Sequence, residues 1–180
     1  MRKKDKIIYS ISFIFDRFTQ KILIVLLLAV VLSRCSSSRL YERNYAPHSL
    51  SNERKGIVNF AKQQIGDGYK YGAKGPNHFD CSGLVSYVYE SEGINIAGSA
   101  AHIFSHGQQI DLNKALPGDL IFCRKGKNIF HVSIISEVFN DQVWVVHSTT
   151  SRGVIEEDLM SSRYWRPMIY KVISLSTLKR

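Results

Sequence analysis

Three cysteines in 180 residues are too few for a disulfide framework, and an odd count leaves one thiol over however they pair. Long apolar runs are also missing. The longest, Ile22 to Leu32, has eleven residues, against the roughly 20 that a membrane-spanning helix needs. Internal repeats and low-complexity segments are absent, which excludes solenoids and fibrous arrays. So is any basic stripe interleaved with aromatics, and nucleic acid is not an expected partner. The net charge of +9 is unevenly spread. Residues 1–34 hold seven Lys/Arg and two Asp, giving +5, while residues 35–180 hold seventeen Lys/Arg and thirteen Asp/Glu, giving +4. An excess of that size suits contact with an anionic envelope without demanding it.

What is present at the start is an export pattern. Arg2, Lys3, Lys4, Lys6, Arg17 and Lys21 precede the Ile22–Leu32 run, a basic region followed by an apolar core of signal-peptide length. Residues 1–34 therefore read as a signal peptide. An uncleaved anchor is the other reading, because Ile7 to Phe15 is itself fairly apolar. Cys35 follows at once, with Ser36-Ser37-Ser38 behind it, and this resembles a bacterial lipoprotein processing site in which the cysteine is lipidated. Arg34 departs from that pattern, where a small residue is usual. Residues 35–50 then read as a lipid anchor and flexible tether, and 51–175 as one domain of ordinary size.

Within that domain, Phe79-Asp80-Cys81-Ser82-Gly83-Leu84-Val85 sets a cysteine at the mouth of a helix expected over 81–91. Unpaired N–H groups and the positive end of the helix dipole favour a thiolate there, and the thiolate is the nucleophile. Downstream, residues 131–137 and 142–147 are β-branched and apolar, with Asn140-Asp141 between them, the pattern of a hairpin. A three-residue loop over 138–140 would pair residues whose numbers sum to 278. That register sets His131 directly opposite His147, on one side of the sheet, with Cβ atoms about 4.5–5.5 Å apart; a slip of one residue would separate them. Cys81 as nucleophile, His131 as base and then acid, and His147 holding His131 make a thiol triad. N–H groups around Cys81 and Ser82 are the expected oxyanion donors.

Four blocks carry a family resemblance: Tyr69 to Gly83, Leu116 to Phe122 with its Pro117-Gly118-Asp119, His131 to Ile134, and Val146-His147-Ser148. Together they resemble the NlpC family of cell-wall cysteine peptidases, in the family's order, from about 51 to about 170. The resemblance implies a papain-like α+β fold, an antiparallel sheet against N-terminal helices. It implies an endopeptidase cutting peptidoglycan stem peptides, commonly next to γ-D-glutamate, with no cofactor and no metal. It further implies Tyr69 near the oxyanion and Asp80 near a substrate amine, with Asp80 also suited to cap the helix. Ala73 and Ser133 stand where glycine is usual, an arginine is missing around Ala97-Gly98-Ser99, and His102 takes a frequent glutamine position.

The remaining readings are coarser. A helix capped by Ser51 is expected over 52–65, a short one over 99–106, and strands over 119–123, 131–136, 143–148 and 168–173. Cys123 closes an apolar strand and reads as a buried, inert thiol. His102 and His106 have the i, i+4 spacing of a helical metal site, but no third ligand is nearby, and they read as surface histidines. Cys81, His131 and His147 as a zinc site is the competing use of the same residues. Other function classes are a non-catalytic wall-binding module and a papain-like amidase or acyltransferase. The protein is expected to be a monomer, exported to the envelope and facing the wall.

Overall fold

The computed structural model describes residues 50–175, 177 and 178. The expected signal peptide 1–34, Cys35 and the tether up to residue 49 lie outside the described residues. Among the described residues, no helix is long and apolar enough to cross a membrane.

Helix α1 spans Asn52–Gln63, with the Ser51 hydroxyl accepting from the Arg54 N–H at 3.3 Å. It stops two residues short of the expected end, ahead of Gly66 at φ 100°, and leaves Ile65 exposed while Ile57 and Ala61 are buried. The same helix buries a residue that periodicity marks as surface. Arg54 is fully enclosed and donates to Asp119 Oδ1 at 3.0 Å, the Pro117 carbonyl at 2.8 Å and Ser174 Oγ at 3.3 Å. Asp119 in turn accepts from Ser174 Oγ at 2.7 Å and the Leu116 N–H at 2.9 Å. Two charges are tolerable there because each is paired and hydrogen-bonded. The Pro117-Gly118-Asp119 turn is thus the fastening between α1 and the sheet.

Helix α2 spans Cys81–Glu90 and begins at Asp80, whose Oδ1 accepts the Gly83 N–H at 2.6 Å. Its Leu84, Val85, Val88 and Tyr89 are buried, and the Tyr89 hydroxyl donates to the Gly118 carbonyl. Gly93 at φ 75° turns the chain away beyond its end. Helix α3 covers Ala100–Phe104, capped by Ser99.

Strands β1 (Gly68–Tyr69) and β2 (His78–Phe79) form a short parallel pair. The main sheet is antiparallel and holds β3 (Gln108–Ile110), β4 (Leu120–Lys125), β5 (Asn128–Phe139), β6 (Gln142–Thr149), β7 (Gly153–Asp158) and β8 (Ile169–Ser174). Their order is β3-β8-β4-β5-β6-β7. One face, with Leu120, Phe122, Val132, Ile134 and Val146, packs under the helices; Ile121, Ile135, Val145 and Val172 pack with Leu159 and Trp165 on the other. This is an α+β architecture. Strands β1, β2, β3 and β7 lie outside the sequence expectation, since three are very short and β7 is an edge with two adjacent glutamates.

The β5–β6 register differs from the expected sum of 278. Asn140, at φ 54°, and Asp141 make a two-residue turn, so Phe139 pairs with Gln142 and the sum is 281. An odd sum would send His131 and His147 to opposite faces. A bulge at Ser136 absorbs one residue, and Ile135 pairs with Val145 and Ile134 with Val146, restoring an even sum of 280. The histidines therefore share a face, but His147 lies across from Ser133 and meets His131 on the diagonal.

Candidate active site

Pairing between β5 and β6 stops at Ile134 and Val146, although both strands run on. The start of α2 fills the resulting gap. There Ser148 Oγ donates to the Phe79 carbonyl at 2.7 Å, and the Cys81 Sγ lies 4.0 Å from the Phe130 carbonyl. The Val132 N–H, freed from the ladder, turns its donor toward the Cys81 sulfur together with the N–H groups of Cys81 and Ser82. Strand splaying is thus what brings a helix-borne thiol to sheet-borne histidines.

His131 Nε2 and His147 Nδ1 are 2.9 Å apart, and Ser133 Oγ is 3.3 Å from the same His147 nitrogen. The far nitrogen, His147 Nε2, reaches Glu157 Oε1 at 2.9 Å. Trp165 stacks on the His131 ring at 4.4 Å between centroids and 25° between planes. Burial is the main cause that pulls His131 down to about 3, with His147 adding to it and Glu157 opposing. Burial likewise pulls His147 down to about 3, with Arg152 adding. Both rings are neutral at pH 7. Burial pushes the Cys81 thiol up and the Asp80 charge adds to that; the N–H groups of Val132, Ser82 and Cys81 pull the other way. The N–H groups at the helix start thus favour the thiolate as expected, while burial works against it and leaves the Cys81 pKa raised on balance; Cys81 and His131 line the same cleft. A cleft of about 480 Å³ opens over Cys81 and His131, bordered by Tyr69, Phe130, Arg152 and Trp165. A thiol, a bare imidazole nitrogen and converging N–H donors in one cleft are the parts of acyl transfer through a thioester.

Residues 66–174 match the NlpC/P60 family. The chain belongs to the NlpC/P60 family. Its NlpC/P60 domain is 42% identical over 74 residues to a protein named probable endopeptidase p60 from Listeria grayi, covering 41% of this chain and 14% of that one. It is 34% identical over 110 residues to the gamma-DL-glutamyl hydrolase of Bacillus subtilis, covering 61% of this chain and 27% of the relative. The chain thus spans less than a third of either relative's length. Among solved structures, the NlpC/p60 domain of the peptidoglycan hydrolase SagA is similar with a TM-score of 0.57 and 28% identity, covering 68% of this chain and 98% of that domain.

Other residues singled out in the sequence of this NlpC/P60 domain sit as follows. Tyr69 borders the cleft, and its hydroxyl is pushed up, first by desolvation and then by the charges of Cys81, Asp80 and Tyr71. Asp80 is held locally: Oδ1 accepts from Gly83 N–H and Ser82 Oγ, and Oδ2 accepts the Gly72 N–H at 2.9 Å. Ser82 is buried, with its hydroxyl donating to Asp80 Oδ1 at 2.9 Å. Ser133 places a hydroxyl beside His147. Cys123 pairs with His131 across β4–β5 and is a free, fully buried thiol, pushed up to about 12 by burial, with Cys81 adding. His102 and His106 are exposed, their rings 4.4 Å apart. Among the described residues, no group of three His, Cys, Asp or Glu side chains is arranged to hold a metal. Sequence reading missed Glu157, Trp165 and Arg152. Only the Glu156-Glu157 pair on an apolar strand edge, and an aromatic cluster at Tyr164-Trp165, were there to find.

Proposed function

We propose that this chain is a peptidoglycan endopeptidase that hydrolyses stem-peptide bonds by a Cys81–His131–His147 thiol mechanism. The observation that carries it is the 2.9 Å contact from His131 Nε2 to His147 Nδ1 beside a cleft that also exposes Cys81. As the Cys81 sulfur attacks the amide carbon, its proton passes to His131, so no standing thiolate is needed. The N–H groups of Cys81 and Ser82 receive the charge on the carbonyl oxygen, with Tyr69 close by. Collapse of the tetrahedral adduct breaks the C–N bond, and the leaving amine takes the proton from His131. Water, deprotonated by His131, then cleaves the thioester and frees Cys81. Asp80, whose carboxylate acts on the neighbouring Cys81, contributes negative charge suited to a substrate amine.

The peptidoglycan hydrolase SagA supports the wall as substrate, the p60 relative supports an endopeptidase, and the gamma-DL-glutamyl hydrolase supports a bond at a glutamyl residue. The reading includes export, lipidation at Cys35 and action as a monomer. Labelling with palmitate that survives Cys35→Ala would defeat the anchor.

The test of the activity is mass spectrometry of sacculi digested by the full chain. New stem-peptide termini should appear with wild type and vanish with Cys81→Ala at unchanged melting temperature. Product release by Cys81→Ala would sink the nucleophile assignment; products joined to an added amine in place of water would mark a transferase.

A further inference from the structure

Glu157 sits on β7, an edge strand, at the end of a line that runs from the cleft through both histidine rings. Three donors converge on its Oε1: His147 Nε2 at 2.9 Å, Arg152 Nη2 at 2.6 Å and Trp165 Nε1 at 3.0 Å. An ionised carboxylate has no proton to give, so the nitrogen facing it must carry one. His147 is therefore protonated on Nε2, and because its ring is neutral, Nδ1 is bare. That bare nitrogen accepts from its two neighbours, the Ser133 hydroxyl and His131 Nε2. His131 must then hold its proton on Nε2, and its other nitrogen, Nδ1, is left bare. We propose that Glu157 is a positioning residue that sets the tautomers of both imidazoles in series, so that His131 offers Cys81 an unprotonated Nδ1. This assignment rests on the hydrolase reading above and extends it by one residue.

Two further contacts belong to the same device. Trp165 lies flat against the His131 ring while its indole N–H is tied to Glu157, so ring orientation and tautomer are held from one carboxylate. Arg152, which lines the cleft, pairs with that carboxylate at 2.6 Å in a charge-assisted contact. A Gln at 157 would keep an oxygen acceptor, and three converging N–H groups would turn that oxygen inward.

The experiment has two arms on the full chain. In wild type, ¹⁵N shifts of the histidines should report protonated Nε2 on both His131 and His147; a protonated Nδ1 on His131 overturns the proposal with no substitution needed. In the second arm, sacculus digestion is followed kinetically. Glu157→Ala should lower kcat about 10–100-fold, by analogy with the loss of a partner that orients a metal-bound histidine, with KM little changed. Glu157→Gln should recover most of that loss. Undiminished kcat in Glu157→Ala, or Gln no better than Ala, overturns it. If wild type itself releases nothing from sacculi, the hydrolase reading fails, while the tautomer measurement still decides the relay.

Discussion

His131 carries the pH behaviour of the site. Burial, with His147 adding and Glu157 opposing, pulls its imidazole down to about 3. Above that value the proposed tautomer leaves Nδ1 bare, and below it the ring is charged and accepts nothing from the thiol. The kcat/KM profile should thus stay level across about pH 5–8 and show no step at the ordinary histidine value of about 6.5. An acid limb centred on 6.5 in a pH–rate series would contradict the burial seen here. The two histidines also differ in what their loss removes. On the proposed mechanism His131→Ala deletes the proton acceptor and should lower kcat by about 10²–10⁴-fold. On the same mechanism His147→Ala deletes the group that orients His131 and should cost less than His131→Ala, because orientation is worth less than proton transfer. Steady-state rates on the same muropeptides compare them, and an equal or reversed order would overturn the two roles.

At the scale of elements, α2 is held at both ends by very different means. Its start is gripped by the 70–75 loop: a Cβ on Gly83 would lie 2.1 Å from the Ala73 carbonyl oxygen, and Gly72 N–H binds Asp80. Gly83→Ala should therefore cost about 1–3 kcal/mol through overpacking and displace Cys81, so that activity falls further than stability. Denaturant melts and turnover measured together separate the two effects. The far end of α2 rests on the Pro117–Asp119 turn, which Arg54 ties to α1. Asp119→Ala would leave the fully buried Arg54 guanidinium without its carboxylate, at an expected 3–5 kcal/mol, roughly the cost of breaking a buried pair. Arg54→Met added to Asp119→Leu should recover part of that loss in the same melts, because no orphan charge remains. No recovery in the double variant would mean the pair is worth more than its desolvation.

For the molecule as a whole, two buried neutral histidines make folding pH-dependent. Both have folded values below their unfolded value of about 6.5, so the unfolded chain binds more protons between about pH 3 and 6.5. Stability is thus complete above 6.5 and drains as pH falls, at up to about 1.4 kcal/mol per pH unit for each ring. Urea midpoints taken down this range should slide steadily, and His147→Gln should make the slope shallower; a flat series would refute the neutral pair. Much of this molecule was legible in the chain itself. The Ser51 and Asp80 caps, the period of α2 and the apolar, β-branched runs of β4 to β6 are local chemistry, and local chemistry is written in consecutive residues. So were the candidates Cys81, His131 and His147, whose residue types and spacing limit what they can do together. Tertiary structure alone decided the rest. A bulge at Ser136 chose which face His131 and His147 share, because register parity turns on a single residue that no composition records. The burial that pushes the Cys81 thiol up, against the pull of the nearby N–H groups, depends on what distant segments cover. Arg54 with Asp119, and Glu157 behind His147, are partners 65 and 10 residues apart; only folding brings such charges close enough for their pairing to outweigh the loss of water.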